Sequence, residues 1–232
     1  MINFKGHRFP ATIIIMAVRW YLRYKLSLAD ITELLLERGV NVSREAVREW
    51  VQKFVPQIAK TLNKKRRKIG KRWHVDETYV KVAGVWKYVY RAVDENMEPI
   101  DIYVSEYRDK KAAKKFFKKC IKVAGGAPES LRSDAHRGYD QVKKMFPNTR
   151  HHQVKCLNNK AESSHVPIKQ RYRPMRGFKN IDTATIFLES FESMYRFFRQ
   201  ARPHNQEMRN LYKMKLDEFN ALFNLNSALN LV

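Results

Sequence analysis

Apolar residues recur at helical spacing through roughly the first sixty positions and then change to a strand-like rhythm. Residues 11–25 place Ile13, Met16, Ala17, Trp20 and Tyr24 along one side, behind Pro10, which suits a helix start. Ser27 opens a second helix with Asp30 three residues on, the spacing of a capping box, and Ile31, Leu34 and Leu35 form its inward face. Gly39 ends it and VNVS makes the turn. Ser43 caps a third helix whose inward stripe is Val47, Trp50, Val51 and Phe54. On its other side Arg44, Arg48 and Gln52 stand four apart and so stack in a row. This is the pattern of a helix-turn-helix with residues 44–54 as the recognition helix, whose Arg and Gln side chains suit base edges in a major groove. From the residues alone, a plain three-helix unit with a solvated charged face competes with that reading.

From Trp73 the rhythm changes. WHVDETYVKV, VWKYVYRAV and PIDIYVSE are rich in Val, Ile, Tyr and Trp, with turns at Ala83-Gly84 and Glu95-Asn96, and predict a three-strand antiparallel meander. Asp109 caps a basic helix with Ala112, Phe116, Cys120 and Val123 inward, and Gly125, Gly126 and Pro128 break it. A short strand SLRSD, a helix near 138–146, a strand around 150–154 and a helix from about Asn159 follow. Residues 183–199 form another amphipathic helix with Ile186, Phe187, Phe191, Met194, Tyr195 and Phe198. Many α+β domains share such a string of elements. The tail from Pro203, with Leu211, Met214, Phe219 and Leu222, suits either closing the fold or pairing two subunits.

Charge narrows the partners. The 232 residues hold 46 Lys+Arg against 23 Asp+Glu, a net +23, on a chain whose 44% hydrophobic content supports a real core. Residues 1–72 alone carry 17 basic and 5 acidic residues. Such an excess repels itself and points to a polyanionic partner. Lys64, Lys65, Arg66, Arg67 and Lys68, followed by Lys71 and Arg72, form the densest run, suited either to a solvated linker or to neutralising DNA phosphates. The two cysteines, Cys120 and Cys156, exclude a disulfide framework, and His151, His152 and Cys156 supply only a partial ligand set for zinc. The apolar stretch Ile13–Val18 is too short to span a membrane and is cut by Arg19, so a cytoplasmic protein without membrane contact is expected.

Three acids stand out. Asp76 lies inside a strand pattern that disfavours Asp, Asp134 ends a short strand, and Glu162 opens a helix, with 27 residues between it and Asp134. Singly, each has an ordinary reading: an edge residue, a turn aspartate, and the third residue of a cap begun by Asn159. Together they suit two magnesium (or manganese) ions clamping the attacking and leaving oxygens of a phosphodiester. Glu77 points to the opposite face of a regular strand and is the weaker ligand candidate.

The phrases WYLRYKLSLADITELLLERGVNVSREAVREWV, WHVDETYVKVAGVWKYVYRAVD and LNNKAESSHVPIKQRYRPMRGF resemble the IS-six family of DDE transposases, over roughly residues 10–200. The resemblance implies an N-terminal all-α helix-turn-helix domain followed by an α/β ribonuclease H-like domain, a mixed sheet with flanking helices. The expected boundaries are 1–62 for the DNA-binding domain, 63–72 for a basic linker, 73–200 for the catalytic domain and 201–232 for a helical tail. It implies Asp76, Asp134 and Glu162 as catalytic metal ligands, terminal inverted repeats and target DNA as partners, and a dimer or larger assembly. The spacing from Asp134 to Glu162 is a few residues shorter than in many such enzymes.

His165 and Lys169 fall three and seven residues after Glu162 on one helical face, with Pro167 expected to kink that helix. In the family such basic positions contact DNA or aid the site, and Lys169, Arg171, Arg173 and Arg176 make a second basic patch. A nuclease of the same fold without end joining, and a silent DNA-binding regulator, are the alternatives in other classes.

Overall fold

The computed structural model describes residues 2–134, 137–153, 163–199 and 205–225. It divides into two compact units, one of Met1–Arg66 with Ser193–Val232, the other Arg67–Glu192.

The first unit begins with α1 (Ala11–Arg23), α2 (Leu28–Leu36) and α3 (Arg44–Asn63). The capping box of α2 is formed, with Asp30 N donating to Ser27 Oγ and Ser27 N to Asp30 Oδ2. Gly39 takes the left-handed φ of 72° that ends the following turn. Ser43 accepts from Ala46 N and starts α3. That helix runs nine residues past the expected 54, through Pro56. Pro56 lies on the exposed side, where the carbonyl it leaves unpaired can meet water, while Val55, Ile58, Ala59 and Leu62 extend the buried stripe.

The burial of α1 is wider than a single stripe. Ile14, Ile15, Val18 and Leu22 are buried as well as Ile13, Ala17 and Trp20. The other end of the chain also meets this helix. Helix α8 (Gln206–Leu222) belongs to this unit, and its Tyr212 Oη lies 3.2 Å from Arg19 Nη1 and 2.8 Å from Tyr24 Oη. Phe219 is buried against Phe197, Phe198 and Phe223. The described tail therefore closes the N-terminal unit, although the sequence placed a boundary at 200.

The second unit is a five-stranded sheet in the order β3-β2-β1-β4-β5. Its strands are β1 (Arg72–Val82), β2 (Val85–Val93), β3 (Pro99–Ser105), β4 (Ser130–Ser133) and β5 (Arg150–Gln153). The first three form the antiparallel meander read from the sequence, and β4 and β5 add in parallel on the other edge of β1. This is the ribonuclease H-like arrangement. Helix α4 (Lys110–Ala124), capped by Asp109, lays Ala112, Phe116 and Cys120 on the sheet beside Val75, Tyr90 and Leu131. After β4 come a 3-10 turn at Arg137–Asp140 and α5 (Gln141–Met145).

Ser163 and Ser164 are helical, His165 is a turn, and helix α6 (Val166–Tyr172) restarts with Pro167 in its first turn, so the helix is interrupted next to the proline as the sequence predicts. Helix α7 (Ile181–Phe198) follows, with Phe187, Leu188, Phe191 and Met194 buried but Ile186 exposed.

Candidate functional site

Strand β1 is the hub of the sheet, with β2 on one edge and β4 on the other. Pairing with β4 ends at His74↔Arg132. Continuing that register by two residues sets Asp76 level with Asp134, which directly follows the last residue of β4. Ser133 fixes the end of the strand: its hydroxyl donates to the Asp134 carbonyl and lies 2.9 Å from His151 Nε2. Oxygens of Asp76, Glu77 and Asp134 lie within 4.8 Å of one another, the only such group among the described residues. His151 is thus engaged by Ser133, His152 is exposed, and Cys156 lies outside the described residues.

Glu77 was expected to point away. Its side chain is 1% exposed and does sit toward α4, yet one oxygen reaches the two aspartates. Beyond His74 the described structure puts no strand against that edge of β1, so a glutamate can turn around it. Arg108 holds it there, with Nε 3.2 Å from Oε1 and Nη2 3.3 Å from Oε2. Arg108 Nη2 also donates to Asp134 Oδ2 at 2.8 Å. Burial pushes the Glu77 carboxyl above its usual range, and Arg108 pulls it part of the way back. Burial pushes the Tyr139 phenol strongly up, and the neighbouring Glu77 charge adds to it.

Asp76 meets His165 on the other side. His165 Nε2 lies 3.4 Å from Asp76 Oδ2, but the ring is 2% exposed and neither nitrogen completes a hydrogen bond among the described residues. Burial lowers the imidazole below its ordinary range, against the pull of Asp76 and aided by the charge of Arg91. It is therefore neutral at pH 7. Arg91, the β2 partner of Asp76, is 2% exposed and binds Glu192 of α7 through two 2.8 Å hydrogen bonds. Its Nη1 donates to the Ser164 carbonyl. Glu162 lies outside the described residues.

The basic residues divide. Arg44, Arg48 and Gln52 are exposed on α3 opposite Val47, Trp50 and Phe54, with Arg48 paired to Glu45. Lys64, Lys65, Arg67 and Lys68 are exposed and Arg66 is half-buried. Lys169 and Arg173 are exposed. Arg171 departs from the surface patch expected of it, being 4% exposed with its guanidinium 5.3 Å from the Phe187 ring centre. His165, buried against Asp76, is also no surface cation.

Sequence reasoning set Glu77 aside as a ligand without seeing its place beside the aspartates, and it missed Arg108 and the Arg91–Glu192 pair. The only local signal was an arginine directly before the helix-capping Asp109.

A family model described as a DDE domain, of the IS240 transposase type, matches residues 70–210. The transposase of insertion sequence-like element IS431mec from Staphylococcus aureus strain N315 is 36% identical over 206 residues, covering 86% of this chain and 90% of that protein. The chain belongs to the IS-six family of DDE transposases. The transposase of IS257 in transposon Tn4003 of Staphylococcus aureus is 35% identical over the same span. Among solved structures, the HTLV-2 integrase catalytic core domain in complex with magnesium aligns over 61% of this chain and 94% of that one, with a TM-score of 0.44 and 12% identity. A DDE transposase cuts and joins DNA with divalent metal. No helix among the described residues is long and apolar enough to cross a membrane.

Proposed function

We propose that this transposase binds the terminal inverted repeats of its element through α3, nicks at the element end to free a 3′-hydroxyl, and joins that hydroxyl to target DNA at one acidic site. The observation that carries the reading is the convergence of Asp76, inside β1, with Asp134, just past the end of the parallel neighbour β4. Hard cations such as Mg2+ take oxygen ligands at about 2.1 Å, so ligand oxygens span roughly 3–4 Å. Carboxylate oxygens within 4.8 Å reach that with a small side-chain rotation. Both Glu77 oxygens face Arg108, which favours Glu77 as a counter-ion and leaves the third ligand to Glu162.

Two Mg2+ or Mn2+ ions held by Asp76, Asp134 and Glu162 would polarise the phosphate and lower the pKa of an attacking hydroxyl. In the first step water attacks the phosphodiester and the 3′-oxygen leaves with a proton. In the second that 3′-hydroxyl attacks a target phosphate and displaces the next 3′-oxygen. Buried, neutral His165 limits the rotation of Asp76. Lys169 and Arg173 are exposed cations in and just after α6, suited to DNA phosphates, and Lys64–Lys68 extend that role at the start of the linker. Assembly of two or more copies on paired ends follows from the need to process both ends.

Nicking and joining of a labelled duplex carrying the element's own end, with Mg2+, tests the reading. The Asp134→Ala protein is expected to bind the end and do neither. Wild-type nicking by that variant would remove Asp134 from the site.

A further inference from the structure

Arg108 is fixed more firmly than a loop cation needs to be. It follows β3 and directly precedes Asp109, whose carboxylate accepts the Ala112 amide at 2.7 Å and pins the backbone. A plain counter-ion for Glu77 would need only Glu77. Arg108 instead makes its shortest bond to Asp134, at 2.8 Å against 3.2 and 3.3 Å to Glu77. Its side chain is 28% exposed, and Nη1 makes no hydrogen bond among the described residues.

We propose that Arg108 is an exchangeable cation of the active site, holding Asp134 in the metal-free protein and contacting the scissile phosphate once a divalent ion has drawn Asp134 away. This rests on Asp134 being a metal ligand, as argued above. Three carboxylates within 4.8 Å repel one another, and a guanidinium between two of them relieves that repulsion before metal arrives. When a cation takes Asp134, Nη2 loses its 2.8 Å bond and keeps only the longer 3.3 Å contact to Glu77 Oε2, which a phosphate oxygen displaces while Nε stays on Glu77 Oε1. Nη1 and Nη2 then form a planar fork matched to two non-bridging phosphate oxygens. The buried Glu77 serves as the anchor that keeps the fork aimed. No covalent bond to the protein forms, and the proton balance of the two transfer steps is unchanged.

The test pairs Mn2+ binding to the full chain without DNA, followed by electron paramagnetic resonance, with the nicking rate at saturating Mn2+. Arg108→Gln keeps a donor for Glu77 but removes the charge. It is expected to bind Mn2+ several-fold more tightly than wild type, yet to nick roughly a hundredfold more slowly. Arg108→Lys keeps the charge without the fork, so Mn2+ affinity stays near wild type while nicking falls. A purely structural role would not tighten Mn2+ binding. Wild-type nicking by either variant at saturating Mn2+ overturns the phosphate contact, and unchanged or weaker Mn2+ binding by a folded Arg108→Gln protein overturns the exchange. If Arg108→Gln fails to fold, Arg108→Ala carries the exchange test in the same Mn2+ titration, and the Lys variant tests only the phosphate contact. Wild-type Mn2+ binding by Asp134→Asn would instead sink the metal-site reading, which separates the two failures.

Discussion

Arg91 and Glu192 meet through two parallel 2.8 Å hydrogen bonds between β2 and α7, both side chains almost wholly out of water. A bidentate buried pair carries little net stability, but loss of one partner strands the other charge. Arg91→Met is expected to cost about 3–5 kcal/mol in urea unfolding, while Arg91→Met with Glu192→Leu recovers most of it. The single change also removes the Arg91 donor from the Ser164 carbonyl, two residues after Glu162. A double variant as unstable as the single one would contradict this account.

Divalent metal should stabilise the unit that carries the acids. An ion at about a hundred times its Kd adds roughly 2.7 kcal/mol by mass action. Thermal melts with and without Mg2+ should show this gain in wild type and its loss in Asp134→Asn. An equal gain in both would mean that the ion binds elsewhere.

His165 gives a pH dependence with a defined sign. Its folded pKa lies below the ordinary value of 6.5, so the unfolded chain takes up the proton first as the solution is acidified. Stability is therefore full above pH 6.5 and falls as pH drops from there to the folded pKa. Metal-free urea titrations between pH 7.5 and 5 should show a steeper decline in wild type than in His165→Gln, the pH range being roughly that over which histidine titrates.

On DNA, base-reading and phosphate-binding residues should separate. Arg44→Ala and Gln52→Ala are expected to lower discrimination for the element end by about 1–3 kcal/mol each, with little change on unrelated duplex. Lys64→Ala and Lys65→Ala should weaken both alike and flatten the salt dependence by about 0.9 per contact. Fluorescence anisotropy across a salt series measures both.

The tail should matter to the unit proposed to bind DNA. Phe219→Ala removes a ring buried among Phe197, Phe198 and Phe223, at an expected cost of about 3–5 kcal/mol. End binding should fall with it. Unchanged stability would mean that α8 is dispensable to that unit.

The legible parts were those governed by local rules. The Ser27–Asp30 box, the Ser43 and Asp109 caps and the β-branched runs of β1–β3 depend on neighbours a few residues apart, and they stand where the pattern put them. The level placement of Asp76 and Asp134 depends on a parallel pairing that periodicity does not encode. Arg91 and Glu192 lie 101 positions apart, and nothing local marks them as partners. Arg171 looked like any surface cation because its burial comes from the Phe187 ring on another helix. Glu77 obeyed the alternation of the strand in its backbone and escaped it through side-chain length, at a stretch of β1 edge that no described strand pairs.

The first unit is assembled from both ends of the chain, residues 1–66 and 193 onward. During synthesis the ribosome therefore releases all of β1–β5 before the residues that close α1 have been made. The sheet can settle while the helices proposed to read DNA still wait for α8. A gene copy truncated within α8 would still encode Asp76, Asp134 and Glu162, but its product would lose its hold on DNA before it lost its chemistry.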